Sequence, residues 1–325
     1  MIILWIVLGI LGLILFLFVI LFFIVLNIYN KKFNKRFTPL NIDSYTKEEF
    51  NLKTKRIEIN HKGKYIRGYL YFYGNYDKNK IIVFAHGMDS SKESYIQEIQ
   101  YLAKSGYLVL GFDYFGTNES DGVLKGFSNS LYSLDIVINY IKNDDELKNM
   151  EIYVIGHSWG GYATLNITKF HNDIKKIIAL APAISFNMML KDDKLKMNLL
   201  LRLIVLLIEK IKFGKYYINN TIKNIDKYNG KIMVIQSEDD PIVSFNSSLN
   251  YIKNNTKKES EYGVVNDRCH NPDYKIEAVK KLMKFYDDFS KCKKEELNDL
   301  FAKCDFRAMG ELDSMIMNYI INFIK

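Results

Sequence analysis

One serine lies between glycines in Gly156-His157-Ser158-Trp159-Gly160-Gly161, directly after the apolar run Ile152–Ile155. G-x-S-x-G spacing serves a tight strand-to-helix turn. Small residues two before and two after let the backbone pass close to its neighbours, and the hydroxyl is left at a helix N-terminus. There the helix dipole favours developing negative charge. The competing reading is a plain turn serine, because serine is common in glycine-rich turns. A serine hydroxyl is a weak nucleophile at neutral pH, so it needs a base, and the base needs an orienting acid.

Five histidines are available as the base. His61 falls in an early hairpin, and His157 adjoins the serine and should point away from its hydroxyl. His171 follows the far end of the next helix. His86 lies in a loop suited to offering backbone N–H groups. His270 follows the last strand and is the base this reading selects. An acid is expected between serine and histidine in chain order. "QSEDDPIV" offers Asp239 and Asp240, and Asp267 is a weaker choice three residues before the histidine.

Five loops carrying such residues require a scaffold that gathers them. "KRIEIN" and "YIRGYLYFY" alternate and read as an antiparallel pair turned at "HKGK". Residues 80–86, 107–113, 151–156, 174–182, 231–237 and 260–266 read as further strands. Their near-continuous apolar character suits strands covered on both faces. Helical spacing appears at 93–105, 128–143, from Ser158 to about Phe170, and at 272–289 after Pro272. Alternating strands and helices predict an α/β fold with a mostly parallel central sheet flanked by helices. Such sheets place ligands at the carboxyl ends of their strands. His86, Asp113, Ser158, Asp240 and His270 all fall at or just after a strand end.

These motifs resemble the α/β-hydrolase superfamily: "AHGMDSS" as the oxyanion loop, "DYFGTNESDG" as the next loop, "GHSWGG" as the elbow, "SEDDPIV" as the acid loop and "CHNP" as the histidine loop. The similarity covers roughly residues 60–290 and is greatest to the monoacylglycerol-lipase and serine-aminopeptidase-like group. The order Ser, Asp, His matches the superfamily. The resemblance implies Ser158 as nucleophile, His270 as general base and Asp240 as the acid. Asp240 is chosen because it stands three residues after a usual glycine, here Ser237, and three before a usual valine, Val243. It also implies an oxyanion hole from the backbone N–H groups of Met88 and Trp159. The chain departs from the family at Phe115, where an arginine is usual, and at Asn118, where a glycine is usual. Those departures put the shape of that loop in doubt.

Residues Ile2–Leu26 carry no charge and exceed the twenty or so residues that span a bilayer. A cleaved signal peptide would want a basic start, a shorter apolar run and a small-residue cleavage site, none of which is present. Lys31, Lys32, Lys35 and Arg36 follow the run, so the positive-inside rule leaves the soluble part in the cytoplasm. The expected organisation is an anchor at 1–30 and a basic juxtamembrane linker at 31–54. A hydrolase domain follows at 55–290, with a helical cap at about 185–228, and a C-terminal helical tail at 291–325. Within the cap, residues 197–213 are strongly apolar. They would either pack on the domain or form a lid over the serine that rests against the membrane. Two amphipathic stretches in the tail could serve the core, a partner or the membrane.

The net charge of +8 is spread among interleaved acids, without a basic stripe, which argues against nucleic acid. Three cysteines in no C-x-x-C pair argue against a disulfide framework. No H-E-x-x-H, G-x-G-x-x-G or P-loop is present, so neither a metal nor a nucleotide cofactor is expected. The expected function is a membrane-anchored serine hydrolase acting on a small-molecule acyl ester, lipid-like in character, with membrane lipids as its surroundings. The rivals are a peptidase or amidase of the same fold, and a tethered binding protein on an inactive hydrolase scaffold.

Overall fold

The computed structural model describes residues 1–38, 49–191 and 197–325. Its strands are β1 (Lys53–His61), β2 (Lys64–Phe72), β3 (Lys80–Ala85), β4 (Leu108–Phe112), β5 (Glu151–His157), β6 (Lys176–Leu180), β7 (Lys231–Ser237) and β8 (Glu261–Val265). They form one sheet in the order β1-β2-β4-β3-β5-β6-β7-β8. β1 pairs antiparallel with β2, and β2 with β4; every pair from β4 to β8 is parallel. The hairpin at His61–Lys64 closes through Lys62 at φ 54° and Gly63 at φ 78°. Two adjacent left-handed residues match the right-handed twist of the flanking strands. In β3, β5, β6 and β7 every residue after the first is buried, as a parallel sheet covered on both faces demands.

The helices are α1 (Ile2–Phe33), α2 (Ile96–Lys104), α3 (Asn129–Asn143), α4 (Trp159–Ile167), α5 (Phe186–Lys191), α6 (Leu199–Phe213), α7 (Thr221–Asp226), α8 (Leu249–Asn255), α9 (Ile276–Lys291), α10 (Leu297–Ala302), α11 (Phe306–Met309) and α12 (Ser314–Ile324). α9 starts later than the proline signal suggested. The backbone of 273–275 pairs with the tail instead: Lys275 N–H donates to Glu311 O at 2.9 Å, and Asp313 N–H to Asp273 O at 2.8 Å.

α1 continues seven residues beyond the apolar run. At 1.5 Å per residue its 32 residues reach about 48 Å, well past a ~30 Å hydrocarbon core. Its most apolar window is wholly unburied, while Val25, Tyr29 and Phe33, spaced by four, are buried against the domain. That spacing puts all three on one face. Phe33 meets Phe186 edge-on at 6.2 Å. Tyr29 donates to the buried carboxylate of Glu209 on α6, and Lys212 donates to Asn30 Oδ1 at 2.6 Å. The basic segment after α1 is docked as well. Phe37 N–H donates to Gly116 O at 2.8 Å, and Arg36 donates to the carbonyls of Asn118 and Ser120. Residues 39–48 of the expected linker lie outside the described residues.

The two additions to the sheet behave differently. α6 buries Ile204, Val205, Leu206 and Ile208 in the core cluster that also holds Val25 and Tyr29 of α1. α12 buries Met317, Ile320, Ile321, Phe323 and Ile324 in the other cluster, with Ile82, Phe84, Ile178 and Met233 of the sheet. The second amphipathic stretch of the tail is therefore core.

Candidate active site

Ser158 sits at the turn from β5 into α4 with φ 55° and ψ −111°, a strained conformation for a residue with a side chain. The strain is held by what surrounds it. A Cβ at Gly160 would overlap the carbonyl oxygen of Ala85, and one at Gly156 would overlap Thr164 Oγ1 and Gly160 O. Ser158 N–H donates to Leu180 O at 2.8 Å, which ties the elbow to β6. The side chain is left half-exposed.

The acid loop after β7 separates its two aspartates. Asp240 is fully buried, and its Oδ1 accepts from Ile242 N–H at 2.8 Å and Val243 N–H at 3.0 Å. Its Oδ2 meets His270 Nδ1 at 2.8 Å. Asp239 instead accepts from Ser237 Oγ and from Cys269 N–H at 3.2 Å. Ser237, where the family has glycine, also accepts from Arg268 N–H at 3.2 Å, so the substitution adds a link between the acid and histidine loops. Asp267 makes no hydrogen bond to His270 among the described residues and occupies a left-handed turn at φ 59°.

An Nδ1–H directed at a carboxylate puts the lone pair of a neutral imidazole on Nε2, the tautomer a general base needs; this proton is assigned from the bonding pattern. Ser158 and His270 line the same cavity of about 490 Å³. No hydrogen bond joins Ser158 Oγ to His270 in this structure, although His270 is bonded to Asp240. Nucleophile–base contacts are often loose without substrate and tighten on binding.

The other histidines are engaged elsewhere. His157 Nδ1 lies 2.8 Å from Tyr95 Oη, and its Nε2 lies 2.7 Å from His270 O. Gly87 N–H donates to the same Tyr95 hydroxyl at 3.0 Å. Tyr95 thus donates to Nδ1, and Nε2–H donates to His270 O. One chain of bonds fixes the loop after β3 and the histidine loop together. Burial pushes His157 down to about 3, so it stays neutral and holds this tautomer. Burial likewise takes His86 down to about 4; its Nδ1 lies 2.7 Å from Gly87 O. His61 meets Tyr132 Oη at 2.9 Å, and His171 meets Asp135 Oδ1 at 2.8 Å.

Met88 lines the cavity beside Ser158. Trp159 is the first residue of α4, where a backbone N–H has no partner within the helix. Its indole donates to Phe127 O at 2.6 Å. The loop after β4 keeps its shape by substitutes for the usual family residues. Phe115 is buried against His61 and Tyr132. Asn118 takes φ 38°, and its amide donates to Glu93 and Asp113. Asp113 pairs with the fully buried Lys92 at 2.7 Å.

The sequence reading missed two carboxyls in the cavity wall. Glu98 Oε1 and Asp273 Oδ2 are buried with no hydrogen-bond partner among the described residues. Burial, together with the neighbouring acid, raises Glu98 well above the carboxyl range, and burial raises Asp273 to about 6. Glu98 sits on the buried face of α2, but no single residue type distinguishes it from a solvated helix acid. Among the described residues, no group of three His, Cys, Asp or Glu could hold a metal ion.

Residues 76–222 match the model of the family described as "Serine aminopeptidase, S33". No curated protein matches the chain. Among solved structures, an esterase of Pyrococcus furiosus superposes with TM-score 0.55 at 19% identity, covering 83% of this chain and 98% of that one. Est1E of Butyrivibrio proteoclasticus with ferulic acid bound gives TM-score 0.57 at 20% identity, covering 73% of this chain and 100% of that one. At these identities the structures speak for the fold. The parallel sheet, the family match and the superpositions agree: the chain has the α/β-hydrolase fold, with the elbow after β5, the acid after β7 and the histidine after β8.

Proposed function

We propose that this protein is a membrane-anchored serine hydrolase that cleaves lipid-like acyl esters with Ser158, His270 and Asp240. The observation that carries the reading is one cavity lined by Ser158 and His270 and also by Lys35 and Phe37, the second and fourth residues beyond α1. A helix apolar enough to cross a bilayer therefore ends beside the reactive serine. The basic residues 31–36 support a cytoplasmic position for that end, by the positive-inside rule.

In this reading Ser158 Oγ attacks the acyl carbon as its proton passes to His270 Nε2, and Asp240 stabilises the imidazolium. The carbonyl oxygen becomes an oxyanion that accepts from Met88 N–H and Trp159 N–H, each worth about 3 kcal/mol at the transition state. His270 then protonates the leaving alcohol, and water releases the acyl group by the reverse path. A peptidase would need an ionised site for a free amine. Burial raises both acids in the wall, Glu98 well above the carboxyl range, which weakens their hold on an ammonium group and favours the ester.

Fluorophosphonate labelling of the full-length chain in detergent tests the reading. Wild type should label and hydrolyse monoacylglycerol, and Ser158→Ala should do neither. Labelling equal in both would remove Ser158 from the mechanism. Better turnover of peptides or short water-soluble esters than of acylglycerols would remove the lipid-like substrate.

A further inference from the structure

The apolar helix of the cap could pack on the domain or cover the serine, and among the described residues no part of α5, α6 or α7 lines the cavity. Much of the cavity's apolar lining comes from the other end of the chain, where Leu282, Phe285 and Tyr286 on α9 and Phe306 and Met309 on α11 join Phe37, Met88 and Ile96. Rings of Phe285, Phe289, Phe301 and Phe306 pack at centroid distances of 5.6 to 6.4 Å and fasten α10 and α11 to α9. The far end of this strap is pinned to the histidine loop. Asp313 pairs with Arg268 at 2.8 Å, and Tyr274 bridges Leu312. Across the cavity, Gln97 Nε2 donates to Arg307 O at 3.1 Å, so the strap also closes onto α2.

We infer that the C-terminal strap, rather than the cap, builds the subsite for the apolar arm of the substrate, with Leu282 and Met309 limiting the arm's length. The inference rests on the hydrolase reading above. Three features support it. Leu282, Phe306 and Met309 are partly exposed and line the same cavity as Ser158. The cavity of about 490 Å³ is of the size that encloses a small molecule. The carboxyls of Asp89, Glu98 and Asp273 line the same cavity and, ionised or neutral, offer no positive charge to an anion, so they suit an uncharged ester better.

The test uses full-length protein in detergent micelles and two substrate series. p-Nitrophenyl octanoate against acetate varies the acyl arm, and octyl acetate against methyl acetate varies the alcohol arm. In Met309→Trp and Leu282→Trp, the long-to-short ratio of kcat/KM should fall roughly tenfold or more in one series, which identifies the arm held there. Leu207→Ala on α6 should leave both ratios at the wild-type value. Fluorophosphonate labelling of each variant confirms a folded elbow, and two separate positions guard against one failing to fold. Unchanged ratios in both tryptophan variants, or a shift produced by the α6 change instead, would overturn the subsite and leave the hydrolase intact. A wild-type chain without Ser158-dependent hydrolysis would overturn both.

Discussion

The cap and the C-terminal tail are the two additions to this sheet, and each takes one of the places its sequence left open. The cap, apolar and inserted after β6, packs against α1, and none of its described residues lines the cavity. The tail, with only amphipathic stretches, supplies core through α12 and cavity wall through α11. The cap's tie is polar and buried. Glu209 accepts from Tyr29, from Ser128 N–H at 2.5 Å and from Phe127 N–H at 3.3 Å, at the start of α3. A carboxylate at a helix N-terminus is favourably placed. The difference teaches that the position of an insertion does not decide what covers a site; the partner surfaces do. Here α1 occupies the cap's buried face, and the tail meets the histidine loop.

The largest test concerns the serine that the comparison is about. Ser158→Ala should lower kcat by about 10⁴-fold or more for the best ester, measured at saturating substrate. Retained turnover would mean that neither region borders an active site. Next in size, Glu209→Ala should cost about 3 kcal/mol in denaturant unfolding, because three buried donors lose their acceptor. The long-to-short substrate ratio should stay unchanged. A changed ratio with normal stability would return the specificity role to the cap.

A pH handle lies on the tail side. His157 is held neutral at about 3, against an unperturbed value near 6.5 in the unfolded chain. Below pH 6.5 the unfolded state binds a proton that the native state does not, so this stabilisation is lost as pH falls. The stability advantage of wild type over His157→Gln should therefore shrink by roughly 1.6 kcal/mol in all between pH 6.5 and 5. The difference between proteins isolates this residue from Glu98 and Asp273, whose raised values act in the opposite direction. A constant difference would show that His157 titrates alike in both states. Smallest of all, Leu203→Ser on the exposed face of α6 should alter stability in detergent by less than about 0.5 kcal/mol. A larger loss would show that this face is covered within the protein.

Much of the site was legible because the chemistry is local in the chain. The glycines around Ser158 answer backbone contacts that any strand-to-helix elbow of this tightness makes. Strand ends bring loops to one edge whatever the side chains between them. The choice between Asp239 and Asp240 was less accessible: adjacent acids look alike until one faces Ser237 and the other His270. Glu98 and Asp273 were illegible, since a carboxyl's burial is a property of its neighbours.

By itself the sequence determined the alternation of strands and helices, the elbow, the order of acid and base, and a helix apolar enough to cross a membrane. Each is written in periodicity or spacing within a few residues. Tertiary structure alone decided that Val25, Tyr29 and Phe33 dock α1 on the cap, that α12 is core, and that Phe306 and Met309 reach the cavity. The tail reaches partners as much as 217 residues away along the chain. An amphipathic stripe states that a face will be buried; only the assembled surfaces fix what buries it.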